Sequence, residues 1–360
     1  MSGPDQIFAL LERGRERNAS DLHVDPSHGA AYRIFTHVHR VGAVRIEPAE
    51  VEAFLDATVD RVSRARLEKI GIADAVFADE RGAIRIHASR GKVGSRLAIR
   101  LLARAIPEIE DLQLPGIVAS FSSLRSGLLI VAGPVGSGKS TTIASLIDRI
   151  NATCSKHILV FEDPVEYFHR SLRSIVTQYE VGRDVSTFAD GVRGALRADP
   201  DVLFVGELRG SDTVSAALQA AEAGHLVFAA LHTPSEASHA VNRIIALFPS
   251  EEQEHARVRL ADTLRAIVGL RLLPKRDGSG VRAAAEIMMA NEAVRRLIRD
   301  GATHQLRLTI ASSRKEGSQT LETHLSELVA QGSIDIGAAR AASLYPEEIH
   351  EAVAQSYRRR

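Results

Sequence analysis

Apolar and charged positions alternate in two neighbouring runs of the N-terminal third. In residues 83–88, Ile84, Ile86 and Ala88 alternate with Arg85 and His87; in residues 96–101, Leu97, Ile99 and Leu101 alternate with Arg96 and Arg100. A period of two places the aliphatics on one face of a strand and the basic residues on the other. Residues 91–94, with glycine at both ends, supply a turn, so the pattern predicts a hairpin with one buried and one basic face. Upstream, the charged stretch 12–17 reads as helix and residues 30–41 as strand-rich.

The pattern changes after a Pro-bounded, acid-rich stretch at 107–115, which divides the chain into residues 1–106, a linker at 107–116 and a larger domain at 117–360. Beyond it, short apolar runs at 128–132, 158–161, 202–205 and 226–230 alternate with helix-like segments such as 141–150 and 212–223. Such alternation predicts a parallel sheet covered by helices, an α/β fold. From Pro249 onward, periodic Leu and Ala predict a mostly helical chain to the C-terminus.

Composition narrows the classes. Lys plus Arg and Asp plus Glu are both 45, so the 360-residue chain carries no basic surplus of the kind expected from a protein built to hold nucleic acid. One cysteine, Cys154, excludes an internal disulfide and a multi-cysteine zinc site. The N-terminal 21 residues lack the apolar core of a signal peptide, and no apolar run approaches the roughly 20 residues of a membrane span, so the expectation is a cytoplasmic protein.

The chemistry concentrates after the four predicted strands. Gly133-Pro134-Val135-Gly136-Ser137-Gly138-Lys139-Ser140-Thr141 fits G-x-x-x-x-G-K-[ST], with a strand before it and a helix after it. Glycines let backbone N–H groups crowd toward a polyphosphate, Lys139 brings a point charge for the β- and γ-phosphates, and the Ser140 hydroxyl can ligate Mg²⁺. ATP with Mg²⁺ is the expected ligand pair. In open α/β sheets, ligands sit beyond the carboxyl ends of the strands, where Glu162-Asp163, Glu207-Leu208-Arg209 and His232-Thr233 fall. Hydrolysis needs a carboxylate near the attacking water and another near the metal, and Glu162 and Glu207 are the obvious pair. His232 reads as a sensor of the γ-phosphate or its water, and His225 as structural.

These segments, in this order and spacing, resemble the Walker A, Asp box, Walker B and His box of the secretion ATPase superfamily, and within it the type IV pilus retraction ATPase (PilT) family. Ala19-Ser20-Asp21-Leu22-His23, Arg271-Leu272-Leu273-Pro274, Glu292-Ala293-Val294-Arg295-Arg296-Leu297-Ile298-Arg299-Asp300-Gly301 and Glu316-Gly317-Ser318-Gln319-Thr320-Leu321 extend the resemblance over nearly the whole chain. Leu270, the pair Ile86-His87 and Arg296 depart from the family pattern, which usually has Gln, Val-Asn and Asn there.

The resemblance implies a RecA-like P-loop domain with a helical C-terminal region and a smaller PAS-like N-terminal α/β domain, assembled as a homo-hexamer. It implies ATP between the two domains and N-terminal arginines on the phosphates, with Arg85, Arg100 and Arg90 as candidates. It implies Glu162 as general base, Glu207 as the metal-side acid and His232 as a nucleotide contact, with Arg197 and Arg209 as helpers. The partner implied is a pilus platform protein of the inner membrane, met at the cytoplasmic face with no other membrane association and no nucleic acid. An assembly ATPase of a pilus or type II secretion system is the nearest alternative; a P-loop kinase and a nucleic-acid motor stand further off.

Overall fold

A computed structural model describes residues 5–34, 37–42, 44–79, 82–101, 105–233 and 236–349. The strand-rich reading of 30–41 includes residues 35–36, and the helical reading of the C-terminus includes 350–360; both stretches lie outside the described residues. Two compact units emerge, Met1–Ala105 with Glu166–Phe168, and Ile106–Val165 with His169–Arg360.

The first unit is built on an antiparallel sheet. Its strands are β1 (Ala19–Asp25), β2 (Gly29–Ile34), β3 (His37–Arg40), β4 (Ile72–Asp79), β5 (Gly82–Arg90) and β6 (Ser95–Leu101), in the order β3-β2-β1-β6-β5-β4. The alternation read from the sequence fixes which face is covered. Ile84, Ile86, Ala88, Leu97 and Ile99 are at most 3% exposed and join Leu22, Val24 and Tyr32 in one core. The helices Asp5–Glu16 and Pro48–Thr58 close that core with Ile7, Leu10, Phe54 and Leu55. Tyr32 is buried, and its hydroxyl donates to the Leu10 carbonyl at 2.6 Å, so the polar end of the ring is satisfied inside the core. The charged members of the hairpin face the other way, and Arg85 pairs across the strands with Arg100.

The second unit carries a seven-stranded sheet. Here β7 (Gly127–Gly133), β8 (His157–Glu162), β9 (Ile175–Glu180), β10 (Val202–Val205), β11 (Leu226–His232), β12 (Leu264–Pro274) and β13 (Val281–Met289) run in the order β13-β12-β7-β11-β10-β8-β9. All neighbours are parallel except β12 and β13. The central strands are buried on both faces, which is why they read as unbroken apolar runs. Leu128, Ile130, Leu203, Val205, Val227 and Ala229 enter one core, while Leu129, Val131, Val202, Phe204, Leu226 and Phe228 enter the other. Helices therefore cover both sides, with Lys139–Thr153 following β7 directly.

The expectation of a mostly helical chain after Pro249 is corrected. Helix Gln253–Thr263 leads into β12 and β13, and helices resume only at Glu292–Arg299. Ala283, Ala284 and Ala285 are good helix formers, yet Ala284 and Ala285 lie fully buried in β13. Pairing of β12 with β7 on one side and β13 on the other satisfies both backbones and overrides local propensity.

Candidate nucleotide site

The phosphate loop starts where β7 ends. A Cβ at Gly133 would stand 2.4 Å from Ser137 Oγ and 2.7 Å from the Leu270 carbonyl oxygen, so the tight turn excludes every other residue. Ser137 is buried, and its hydroxyl has no hydrogen-bond partner among the described residues. An orphaned hydroxyl beside the N-terminus of the helix Lys139–Thr153 fits a loop shaped to accept phosphate oxygens. Lys139 is 5% exposed and donates to the carbonyls of Gly133 at 3.0 Å and Pro134 at 2.8 Å.

The adjacent parallel strand brings the second group. The register of β7 with β11 pairs Gly133 with His232. That places His232 Nδ1 3.2 Å from Lys139 Nζ, and His232 Nε2 3.9 Å from Glu207 Oε1. The Thr233 N–H donates to the Gly133 carbonyl at 3.4 Å, tying this loop to the phosphate loop. His225, before β11, accepts the Gly127 N–H through its backbone carbonyl at 3.0 Å.

Glu207 follows β10. Arg209 Nε donates to Glu207 Oε2 at 2.6 Å and its Nη1 to Asp163 Oδ2 at 3.1 Å, so one guanidinium joins the two acid segments. The Glu207 carboxylate holds the Arg209 pKa above its ordinary value against a partial desolvation. Glu162 closes β8 and is 6% exposed. Gly206 gives it room: a Cβ there would meet Glu162 Cγ at 3.4 Å and the Phe161 carbonyl oxygen at 2.9 Å. Lys139, His232, Glu207, Arg209 and Asp163 thus form one chain of contacts at the carboxyl edge of the sheet, with Glu162 beside Gly206. Among the described residues, no group of three or more His, Cys, Asp or Glu side chains is arranged to hold a metal by itself.

The remaining candidates stand elsewhere. Arg197 is exposed beyond the helix Phe188–Ala195. Arg85, Arg90 and Arg100 belong to the first unit, where Arg100 Nε lies 3.1 Å from Asp21 Oδ1 and Arg33 Nε lies 3.9 Å from Asp21 Oδ2.

One feature escaped the sequence reading. A cleft of about 330 Å³ opens beside Ser137, Gly138, Thr141 and Thr142, walled by 111–114, Leu272, Lys275 and 281–283. Its position at the phosphate loop and its mixed apolar and polar wall suit a nucleoside. The sequence signal was Leu112 and Leu114 within an acid-rich stretch, and both pack against the second unit's core beside the buried Ile109.

Comparison with known proteins adds to this geometry. The family model of type II/IV secretion system proteins matches residues 6–348. The Pseudomonas aeruginosa type IV pilus retraction ATPase PilT is 36% identical over 342 residues, spanning 95% of this chain and 99% of that protein. A twitching motility protein of Neisseria gonorrhoeae is 41% identical over 256 residues, 71% of this chain and 68% of that one. The crystal structure of the pilus retraction motor PilT with bound ADP superposes with a TM-score of 0.87 at 39% identity, covering 96% of this chain and 99% of its own.

Proposed function

The chain belongs to the type II/IV secretion system protein family, and from that premise we propose that it is an ATP hydrolase whose turnover drives type IV pilus retraction. The observation that carries the reading is the contact of Lys139, His232 and Glu207 beside the phosphate loop. It occurs in a chain aligned over 95% of its length with a pilus retraction ATPase.

In this reading Lys139 leaves its own loop carbonyls for the β- and γ-phosphates, and the N–H groups at the start of the helix Lys139–Thr153 receive the remaining oxygens. Ser140 and Glu207 are the protein groups assigned to Mg²⁺, and two ligands suffice because this ion takes its other positions from phosphate and water. The bound ion would supply charge to offset the γ-phosphate. Glu162, buried at the strand end, takes the proton of the attacking water, and His232 reports the γ-phosphate to the loop behind it. Arg85 and Arg100 are assigned to the phosphates as further positive charge.

The working form is a homo-hexamer that acts on a platform protein of the inner membrane from the cytoplasmic side, with no nucleic acid involved. No helix among the described residues is long and apolar enough to cross a membrane, which accords with attachment through a partner. Deletion of the gene, scored for surface pili and twitching, tests the direction of work. Hyperpiliated, non-twitching cells are expected, whereas bald cells would assign the protein to pilus assembly.

A further inference from the structure

Strand β11 ends at His232, and the segment after it leads into the helix Ala237–Ile245. One end of this segment is fastened to the phosphate loop through the Thr233 N–H. The other end meets a side chain that the catalytic reading does not use. Glu286 of β13 is 4% exposed, and its Oε1 accepts the Ala237 N–H at 2.6 Å. The N–H of Leu321, the first residue of the helix Leu321–Ala330, also lies close enough to the carboxylate to favour its charged form. A single buried carboxylate thus receives the N–H of one helix start and faces that of another, where a negative charge is favoured by both helix dipoles.

Its place in the sheet is equally specific. Cross-strand pairing runs Glu286 to Gly269 in β12, Gly269 to Ala132 in β7, and Ala132 to Leu231 in β11. Glu286 therefore lies in the same row as the residue that precedes His232, and its hydrogen bond holds the first N–H of the helix that follows β11. We propose that Glu286 is a positioning residue for the nucleotide site, holding the start of the helix Ala237–Ile245 so that His232, at the end of the preceding strand, stays against Lys139 and Glu207.

The surroundings of Glu286 make this hold sensitive to pH. Burial raises its pKa to about 7, with Glu236 and Glu322 pushing the same way and the Ala237 and Leu321 N–H groups opposing them. Charged and titratable groups stand on each packed element: Glu236 before the helix Ala237–Ile245 and His239 on it, Glu322 and His324 on the helix Leu321–Ala330, Arg307 on the helix Leu306–Ser312, and Arg271 on β12. Arg307 binds Glu322 at 3.1 Å, and His239 Nδ1 lies 3.7 Å from Glu236 Oε2, so both neighbouring acids have partners of their own. Protonation of Glu286 weakens its grip on the two helix starts, because a neutral carboxyl accepts a hydrogen bond less strongly than a carboxylate.

The inference rests on the reading of His232 as a nucleotide contact, and its test has one arm that needs no turnover. Glu286→Gln keeps the shape but loses the charge and puts an N–H donor where one of two N–H groups must be received. Steady-state hydrolysis by the full chain should show kcat reduced about tenfold in E286Q, with ADP affinity within about twofold of wild type. Wild-type kcat should fall as pH drops through about 7 toward a flat E286Q profile, and Glu286→Asp, which keeps the charge, should recover part of the rate. Hydrogen exchange of peptides covering β11 and Thr233 reads this region directly, and E286Q should exchange roughly tenfold faster there while peptides of β8 and β10 keep their wild-type protection. Unaltered exchange at these amides, or an E286Q pH profile that tracks wild type, overturns the proposal. A wild-type chain with no turnover at all would instead remove the ATPase reading and leave the exchange result to decide the role of Glu286.

Discussion

Lys139 Nζ and His232 Nδ1 lie 3.2 Å apart. An ammonium group has only protons to give, so Nδ1 accepts and the ring proton sits on Nε2, which faces Glu207 Oε1 at 3.9 Å. One imidazole therefore links the cation of the phosphate loop to the acid assigned to the metal. In the proposed reading, a γ-phosphate that draws Lys139 away would change the partner of His232 in the same movement and so carry the event to the segment behind β11.

Lys139→Ala tests the phosphate-binding half of this link. Lys139 is nearly buried and its amine is held by two loop carbonyls, so its removal takes away the one formal charge within the loop. Triphosphate affinity should fall by roughly tenfold or more, equivalent to at least about 1.4 kcal/mol, as read by titration with a fluorescent ATP analogue. Unchanged affinity would contradict the phosphate-loop assignment.

Glu162→Gln separates binding from chemistry. Glu162 is buried at the end of β8, against the space that Gly206 leaves open. The amide fills the same volume and cannot take a proton. Nucleotide affinity should stay near the wild-type value while phosphate release slows by about 10²–10⁴. A variant that still hydrolyses at the wild-type rate removes Glu162 as the base.

The arginines of the first unit call for a different control. Arg100 pairs with Asp21 at 3.1 Å, and its side chain is 62% exposed. A pair of that kind contributes about 1 kcal/mol or less to folding, so Arg100→Ala should leave the thermal midpoint almost unmoved. Turnover should nonetheless fall if the guanidinium serves the phosphates. Normal hydrolysis in a normally folded R100A chain would count against the assignment of Arg85 and Arg100.

The parts of the molecule that were legible in the sequence share one property: local spacing alone determines them. Ile84, Ile86, Leu97 and Ile99 alternate because one face of a hairpin is covered. The run 133–141 is readable because the tight turn at Gly133 and the helix that follows demand particular residues in a fixed order. Strands β12 and β13 were not legible, since their Leu- and Ala-rich runs suit a helix until β7 offers an edge to pair with. Strand β1 hid in the polar residues Ser20, Asp21 and His23, and only Leu22 and Val24 of its centre enter the core. Glu286 was equally silent. An acidic residue within an apolar run gives no hint that two helix starts, from positions 237 and 321, converge on it.

Two buried groups give the second unit opposed responses to acid. Glu286 titrates at about 7 in the fold against an ordinary 4.5, so the folded chain binds this proton more tightly than the unfolded chain. Its contribution to stability declines as pH rises from about 4.5 to about 7. His324 is buried near Arg282, and its pKa falls to about 4 from 6.5, so the unfolded chain takes that proton first. Its contribution is lost as pH drops from about 6.5 to about 4. Each shift is worth roughly 3 kcal/mol at most, and in wild type the two slopes largely offset one another between pH about 4.5 and 6.5. Single substitutions should expose each slope. With Glu286→Gln, the denaturation midpoint should climb as pH rises across that window, because the His324 dependence is no longer offset by Glu286. His324→Asn keeps an acceptor for the Ala285 N–H, which His324 Nδ1 receives at 2.9 Å, and removes the titration; its midpoint should fall as pH rises. Urea titrations at half-unit pH intervals supply the measurement, and variant curves parallel to wild type would show that neither group titrates as its burial dictates.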